Sequence, residues 1–201
     1  MDNETSDRPR LTAKGARTRA RIVEAAAALI HERGVAGTTL EDVKLAAEVS
    51  GSQMYHYFPD KNELVQAVID FHTETIVHHQ GQVLRSANGV EAWRNMVITA
   101  AKHTKAMGGC PLGSLVGQLA ESDPEARALI ASGFDQWAAA IGDGLRSLHA
   151  EGKLPSDIDP DDLATTLLAT LQGGLLLAQV QRSTRPFETA VNTVLALAIS
   201  R

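Results

Sequence analysis

Apolar residues recur along this chain at intervals of three and four, and strict alternation is rare. That spacing predicts helices. Ile22, Ala26, Leu29 and Ile30 share one face and predict a helix from Thr12 to Arg33, closed by Gly34. Leu40, Val43 and Ala47 predict a short helix from Thr39 to Ala47. Thr38 or Thr39 suits its N-cap, and Glu41 and Asp42 suit its first turn. Another short helix, Ser50 to Phe58, is stopped by Pro59. Asp60 caps a long one, Lys61 to Leu84, with Leu64, Val68, Phe71, Thr75 and His78 along one side. Trp93, Met96, Val97 and Ala100 predict a helix from Val90 to Met107, and "GGCPLG" interrupts the chain after it. A short helix then runs through Glu121. Asp123-Pro124 and Asp159-Pro160 are cap-and-first-turn pairs. They open helices to Ala150 and through Gln181, and a last helix covers Pro186 to Ile199. The pattern predicts an all-α chain of about nine helices.

The three short elements before Pro59 form a natural unit. The expected organisation is a flexible arm over residues 1–11, a three-helix domain over 12–59, and a larger bundle over 60–201. Hydrophobic residues make up 44% of the chain, enough for a packed core, and alanine and leucine lead the composition. One cysteine, Cys110, excludes an internal disulfide framework and suits a reducing cytoplasm. No uninterrupted apolar run of about 18 residues appears, so no spanning helix is expected. The N-terminus is polar and charged, without an apolar signal core.

The net charge of −5 looks wrong for a nucleic-acid binder, but its distribution does not. Between Arg8 and Arg21 there are six basic residues and no acid, whereas Asn62 onward carries 10 basic and 15 acidic residues. An acidic body with a locally basic head suits a protein whose head alone approaches phosphate. The first ten residues equally suit a solvated tail. Two short helices joined by a three- or four-residue turn, as over Thr39–Ala47 and Ser50–Phe58, are the helix-turn-helix layout. The second begins with Ser50, Gly51, Ser52 and Gln53, small and polar where a recognition helix meets base edges. Met54 and Phe58 would face inward, leaving Gln53, Tyr55 and His56 outward to reach phosphates or bases. Tyr57 fits either face. Lys61 could reach the backbone as a point charge.

The stretch Thr18 to Ile69 resembles the N-terminal domain of the TetR family of bacterial repressors. The resemblance rests on "RIVEAA" and "ERG", on "TTLEDV", on "VS", and on "YHYFPDKNEL". It implies that Thr39, Ser50, Ser52, Gln53, Tyr55, His56 and Lys61 lie at a DNA surface, with Thr39 and Lys61 mainly on phosphate. Three departures stand out: Glu48 where the family usually has a turn glycine, Gly51 where lysine or arginine is common, and Ser52-Gln53 in place of Gly-Thr. The amide of Gln53 suits bidentate pairing with adenine N6/N7, so it is the expected base reader. Gly108 to Ser183, with "GGCPLGSLVGQLAESDPEARALIASGFDQW" and "LATTLLATLQGGLLLAQVQ", is similar to the LmrA/YxaF-like branch. That similarity implies a ligand-responsive bundle dimerising through its last two long helices. The expected partners are therefore double-stranded operator DNA, a small-molecule effector and a second copy of the chain through Pro160 to Ile199, with no membrane. Repressor is favoured over activator on the resemblance alone.

The residues support the dimer independently. A helix as apolar all round as Leu163 to Val180 must be covered on all sides, and Gly173-Gly174 permit close approach. A central helix of one subunit would read the same way. Trp93, Met96, His103, Met107, Cys110, Phe134, Trp137 and Gln172 could line a cavity between helices. Taken singly, each suits a core better than a cavity wall. His72 and His79 share a face without a carboxylate partner, so no metal site is expected. Cys110 before Pro111 stands where a helix start would favour a thiolate. No phosphate loop, catalytic carboxylate pair or zinc motif appears, so neither an enzyme nor a cofactor is expected.

Overall fold

The computed structural model describes residues 11–86 and 88–199; all of the expected arm but Leu11 lies outside them. Nine α-helices and no strand occur among these residues. They are α1 (Ala13–Arg33), α2 (Leu40–Ala46), α3 (Gly51–Tyr57), α4 (Lys61–Leu84), α5 (Gly89–His103), α6 (Gly113–Leu119), α7 (Pro124–Ala150), α8 (Pro160–Gln181) and α9 (Arg185–Ile199). The chain divides into two compact units, the first ending at Val68 and the second beginning at Ile69. The sequence suggests Pro59 as the boundary. The division falls inside α4 instead, whose first turns bury Leu64, Val65 and Val68.

In the first unit, Ile22, Ala26 and Ile30 of α1 are buried with Val43, Met54 and Phe58. The Arg19 guanidinium lies 5.1 Å from the centre of the Phe58 ring, near enough for cation–π attraction. Thr39, not Thr38, caps α2; Thr38 is buried and donates its hydroxyl to the Gly34 carbonyl at 2.9 Å.

In the second unit, α8 packs chiefly on α7 and α9. Asp123 and Asp159 cap α7 and α8 as their Asp-Pro pairs predict, each accepting two backbone N–H groups. The helix α5 ends at His103, not Met107. Its last turn unwinds through Lys105 and Ala106, both left-handed, with Ala106 N–H reaching back to Ala101 O at 3.0 Å. At its core Trp93 and Trp137, from α5 and α7, both donate Nε1–H to the same acceptor, Gln80 Oε1 on α4, each at 2.8 Å.

The helix α8 is long and apolar enough, by length and composition, to cross a membrane, although its apolar residues form no uninterrupted run. Threonines and glutamines punctuate it. The core helix of a bundle meets the same description, and Leu163, Leu167 and Leu171 are buried. Its opposite side is not: Leu176, Leu177 and Val180 are exposed, as is Leu197 of α9. The two adjacent glycines serve different sides. A β-carbon on Gly174 would stand 2.9 Å from Phe187 Cδ2, so this glycine lets α9 approach. One on Gly173 would meet nothing within 4 Å, because it faces the open side.

Candidate functional site

The α2–α3 turn is built from backbone hydrogen bonds. Val49 N–H reaches Lys44 O and Glu48 N–H reaches Leu45 O, both at 3.2 Å. This is the Schellman closure, whose pivot adopts a left-handed conformation. The pivot here is Glu48, at φ 52°. Glycine holds that conformation without strain and glutamate does not.

Beyond the turn, Ser50 and Gln53 cap each other. Gln53 N–H donates to Ser50 Oγ at 3.2 Å, and Ser50 N–H donates to Gln53 Oε1 at 2.9 Å. This capping box satisfies two donors that the start of α3 would otherwise leave open. Thr39 and Asp42 repeat the device on α2: Asp42 N–H reaches Thr39 Oγ1, and Asp42 Oδ2 accepts from both the backbone N–H and the hydroxyl of Thr39. Those bonds, the hydroxyl's first, hold the Asp42 carboxyl below the ordinary carboxylate range.

Of the seven residues singled out from the sequence, Thr39, Ser50, Ser52, Gln53, Tyr55 and His56 are exposed and Lys61 is half-buried. Met54 of the same short helix and Phe58, its C-cap residue, are each 1% exposed. A helix polarised in this way presents a polar face while anchored by two side chains. Tyr57, which fitted either face, is half-buried. Its hydroxyl lies against α1, where a β-carbon on Gly15 would stand 3.2 Å away. That packing sets the first turns of α1 beside the end of α3, and Lys14, Arg17 and Arg21 of α1 are exposed. The basic run was visible in the sequence; that the turn of α1 carrying Lys14 lies beside the short helix was not. Gln53 is more constrained than its sequence suggests. One lone pair of its carbonyl serves the cap, and its Nε2 group takes no part in the capping box.

The eight residues suggested as cavity lining separate. Cys110, Phe134 and Gln172 line a cavity of about 380 Å³ with Ser114, Leu176 and Gln179. Trp93 and Trp137 are 0% and 3% exposed and belong to the core around Gln80. Met96 is half-buried, His103 and Met107 are exposed, and none of the three lines that cavity. Cys110 corrects the expectation of a stabilised thiolate. Burial pushes its thiol above the ordinary range, outweighing hydrogen bonds from Gly113 N–H at 3.3 Å and Gln172 Nε2 at 3.6 Å.

Residues 22–68 match the family described as "Bacterial regulatory proteins, tetR family", and residues 86–194 match "Tetracyclin repressor-like, C-terminal domain". An uncharacterised HTH-type transcriptional regulator of Mycobacterium tuberculosis is 29% identical over 183 residues, covering 85% of this chain and 88% of its own. The uncharacterised HTH-type regulator YxaF of Bacillus subtilis is 24% identical over 174 residues, covering 84% and 88%. A crystal structure of a TetR transcriptional regulator from Chloroflexus aurantiacus is similar with a TM-score of 0.77 at 25% identity, covering 92% of this chain and 97% of that one.

Proposed function

The chain belongs to the TetR family of bacterial DNA-binding transcriptional regulators, and on that premise we propose that it is a repressor released from a palindromic operator by a small, lipophilic effector. The observation that carries this reading is the polarity of α3. Its polar N-terminal residues are exposed while Met54 and Phe58 anchor it, as a helix entering the major groove requires. Gln53 Nε2, Tyr55 and His56 reach bases or the backbone; Ser50 and Ser52 supply hydroxyls; Thr39 and Lys61 hold phosphate. Lys14 and Arg17 extend the phosphate contacts from α1.

Two copies pair through the exposed stripe of α8 and α9, where Leu176, Leu177, Val180 and Leu197 stand in the open. A two-fold dimer presents two α3 helices to half-sites about 34–36 Å apart. The effector occupies the cavity beside Cys110, Phe134 and Gln172, whose walls are mostly apolar with two amides and a hydroxyl. It acts by favouring one of two arrangements; a compound with equal affinity for both would release nothing. The protein works in the cytoplasm, where its operator lies.

A gel-shift titration on the protein's own promoter region, repeated across salt, tests the reading. Sequence-selective binding that weakens steeply with salt is expected. Equal binding to all sequences, or none at any salt, overturns it. A thermal-shift screen of lipophilic compounds, read beside operator release, tests the effector; stabilisation without release removes that part.

A further inference from the structure

A second cleft, of about 680 Å³, opens where the start of α5 meets the ends of α7 and α9. We propose that it binds an amphipathic molecule with one carboxylate head, at a site separate from the effector cavity. Arg94 carries the argument. It is half-buried, its Nε donates to Asn192 Oδ1 at 2.5 Å, and its Nη1 donates to Asn95 Oδ1 at 3.0 Å. Both partners are neutral amides. Among the described residues no carboxylate forms an ion pair with Arg94. The acid whose charge it feels, Glu188, already accepts from Thr184 and pairs with Lys102 at 3.1 Å. A guanidinium has five donors in a planar fork that matches a carboxylate. Partly withdrawn from water and without a direct carboxylate contact among the described residues, it gains charge-assisted hydrogen bonds when such a group arrives.

Lys153 lines the same cleft. It pairs with Glu151 at 2.7 Å, an exposed bridge weak enough for a ligand carboxylate to displace. Val90, Leu148, Leu154 and Leu195 form the apolar wall against which a hydrocarbon chain would lie. Among the described residues Glu91 is the one acid on the lining; it repels a dianion about twice as strongly as a monoanion, so a head with a single negative charge suits the cleft better. Asn88 gives α5 no side-chain cap, so the positive end of the helix adds to the field of Arg94. The volume lies within the ordinary range for small-molecule sites.

Isothermal titration of the full chain with octanoate, octanol, octylamine and octyl phosphate tests this. Octanoate should saturate one site per chain, with the other three at least tenfold weaker. Arg94→Gln should weaken octanoate at least tenfold. Leu148→Trp, which fills the cleft from α7, should do the same. Gln172→Leu, in the effector cavity, should leave octanoate affinity unchanged. Octanol binding as tightly as octanoate overturns the proposal. So does wild-type affinity in either cleft variant, or loss of octanoate binding in Gln172→Leu. No DNA enters the measurement, so failure here leaves the operator reading untouched.

Discussion

Single side chains carry two burdens in this protein, and the substitutions that separate them are specific. Glu48 bears the strain of the α2–α3 turn at φ 52°. We expect Glu48→Gly to stabilise the first unit by about 0.5–1 kcal/mol, the relief of left-handed strain less the added chain entropy. A thermal midpoint that falls would show that the glutamate side chain contributes more than its backbone costs. Gln53 both caps α3 and faces outward. Gln53→Glu keeps the carbonyl-type acceptor of the capping box but removes the amide donors. It should leave stability within about 0.5 kcal/mol yet lower operator affinity at least tenfold by titration. Gln53→Ala should lose about 1 kcal/mol of stability and relax sequence preference. If Gln53→Glu binds the operator as tightly as the wild type, Gln53 reads no base. The departures at Glu48 and Gln53 were legible as departures; that one is a strained pivot and the other half a cap required coordinates, because φ and hydrogen-bond partners are not written in residue type.

Among the elements, caps and periodicity were the legible part. The Asp-Pro pairs located α7 and α8 to the residue. The end of α5 was not legible, because Lys105 and Ala106 carry no sign of the left-handed backbone they adopt. The capping box on α2 also has a pH consequence. A carboxyl held below its ordinary range adds stability that is complete above the ordinary aspartate value. That stability is lost as pH falls through the lowered one. Acid unfolding of the first unit should therefore draw on Asp42, and Asp42→Asn, which keeps an acceptor but no charge, should flatten that part of the profile in circular dichroism. An unchanged acid limb would remove Asp42 from the account. In the second unit, Gln80 ties α4 to α5 and α7 through one oxygen. Gln80→Leu leaves two buried indole N–H groups without an acceptor, and we expect a loss of about 2–4 kcal/mol in denaturant unfolding. A smaller loss would mean that both indoles find other partners.

At the scale of the molecule, the nine helices among the described residues and their order followed from spacing, caps and breakers together. The uniform apolarity of α8 did not reveal which side faces its own chain, because leucine reads the same on both. The structure divides it, with Leu167 and Leu171 buried and Leu176, Leu177 and Val180 exposed. Leu177→Arg should convert the proposed dimer to monomers in sedimentation velocity and weaken operator binding, while the helical content is unchanged. A variant that remains dimeric would place the interface elsewhere. The pair of indoles has one more consequence. The chain contains two tryptophans, and both hang on Gln80 Oε1 within the second unit. Tryptophan emission, excited where tyrosine does not absorb, therefore watches a single junction of α4, α5 and α7 and is blind to α1–α3. An emission change on adding a compound reports a rearranged bundle, and operator DNA should move the same emission the opposite way, because the two ligands share one equilibrium.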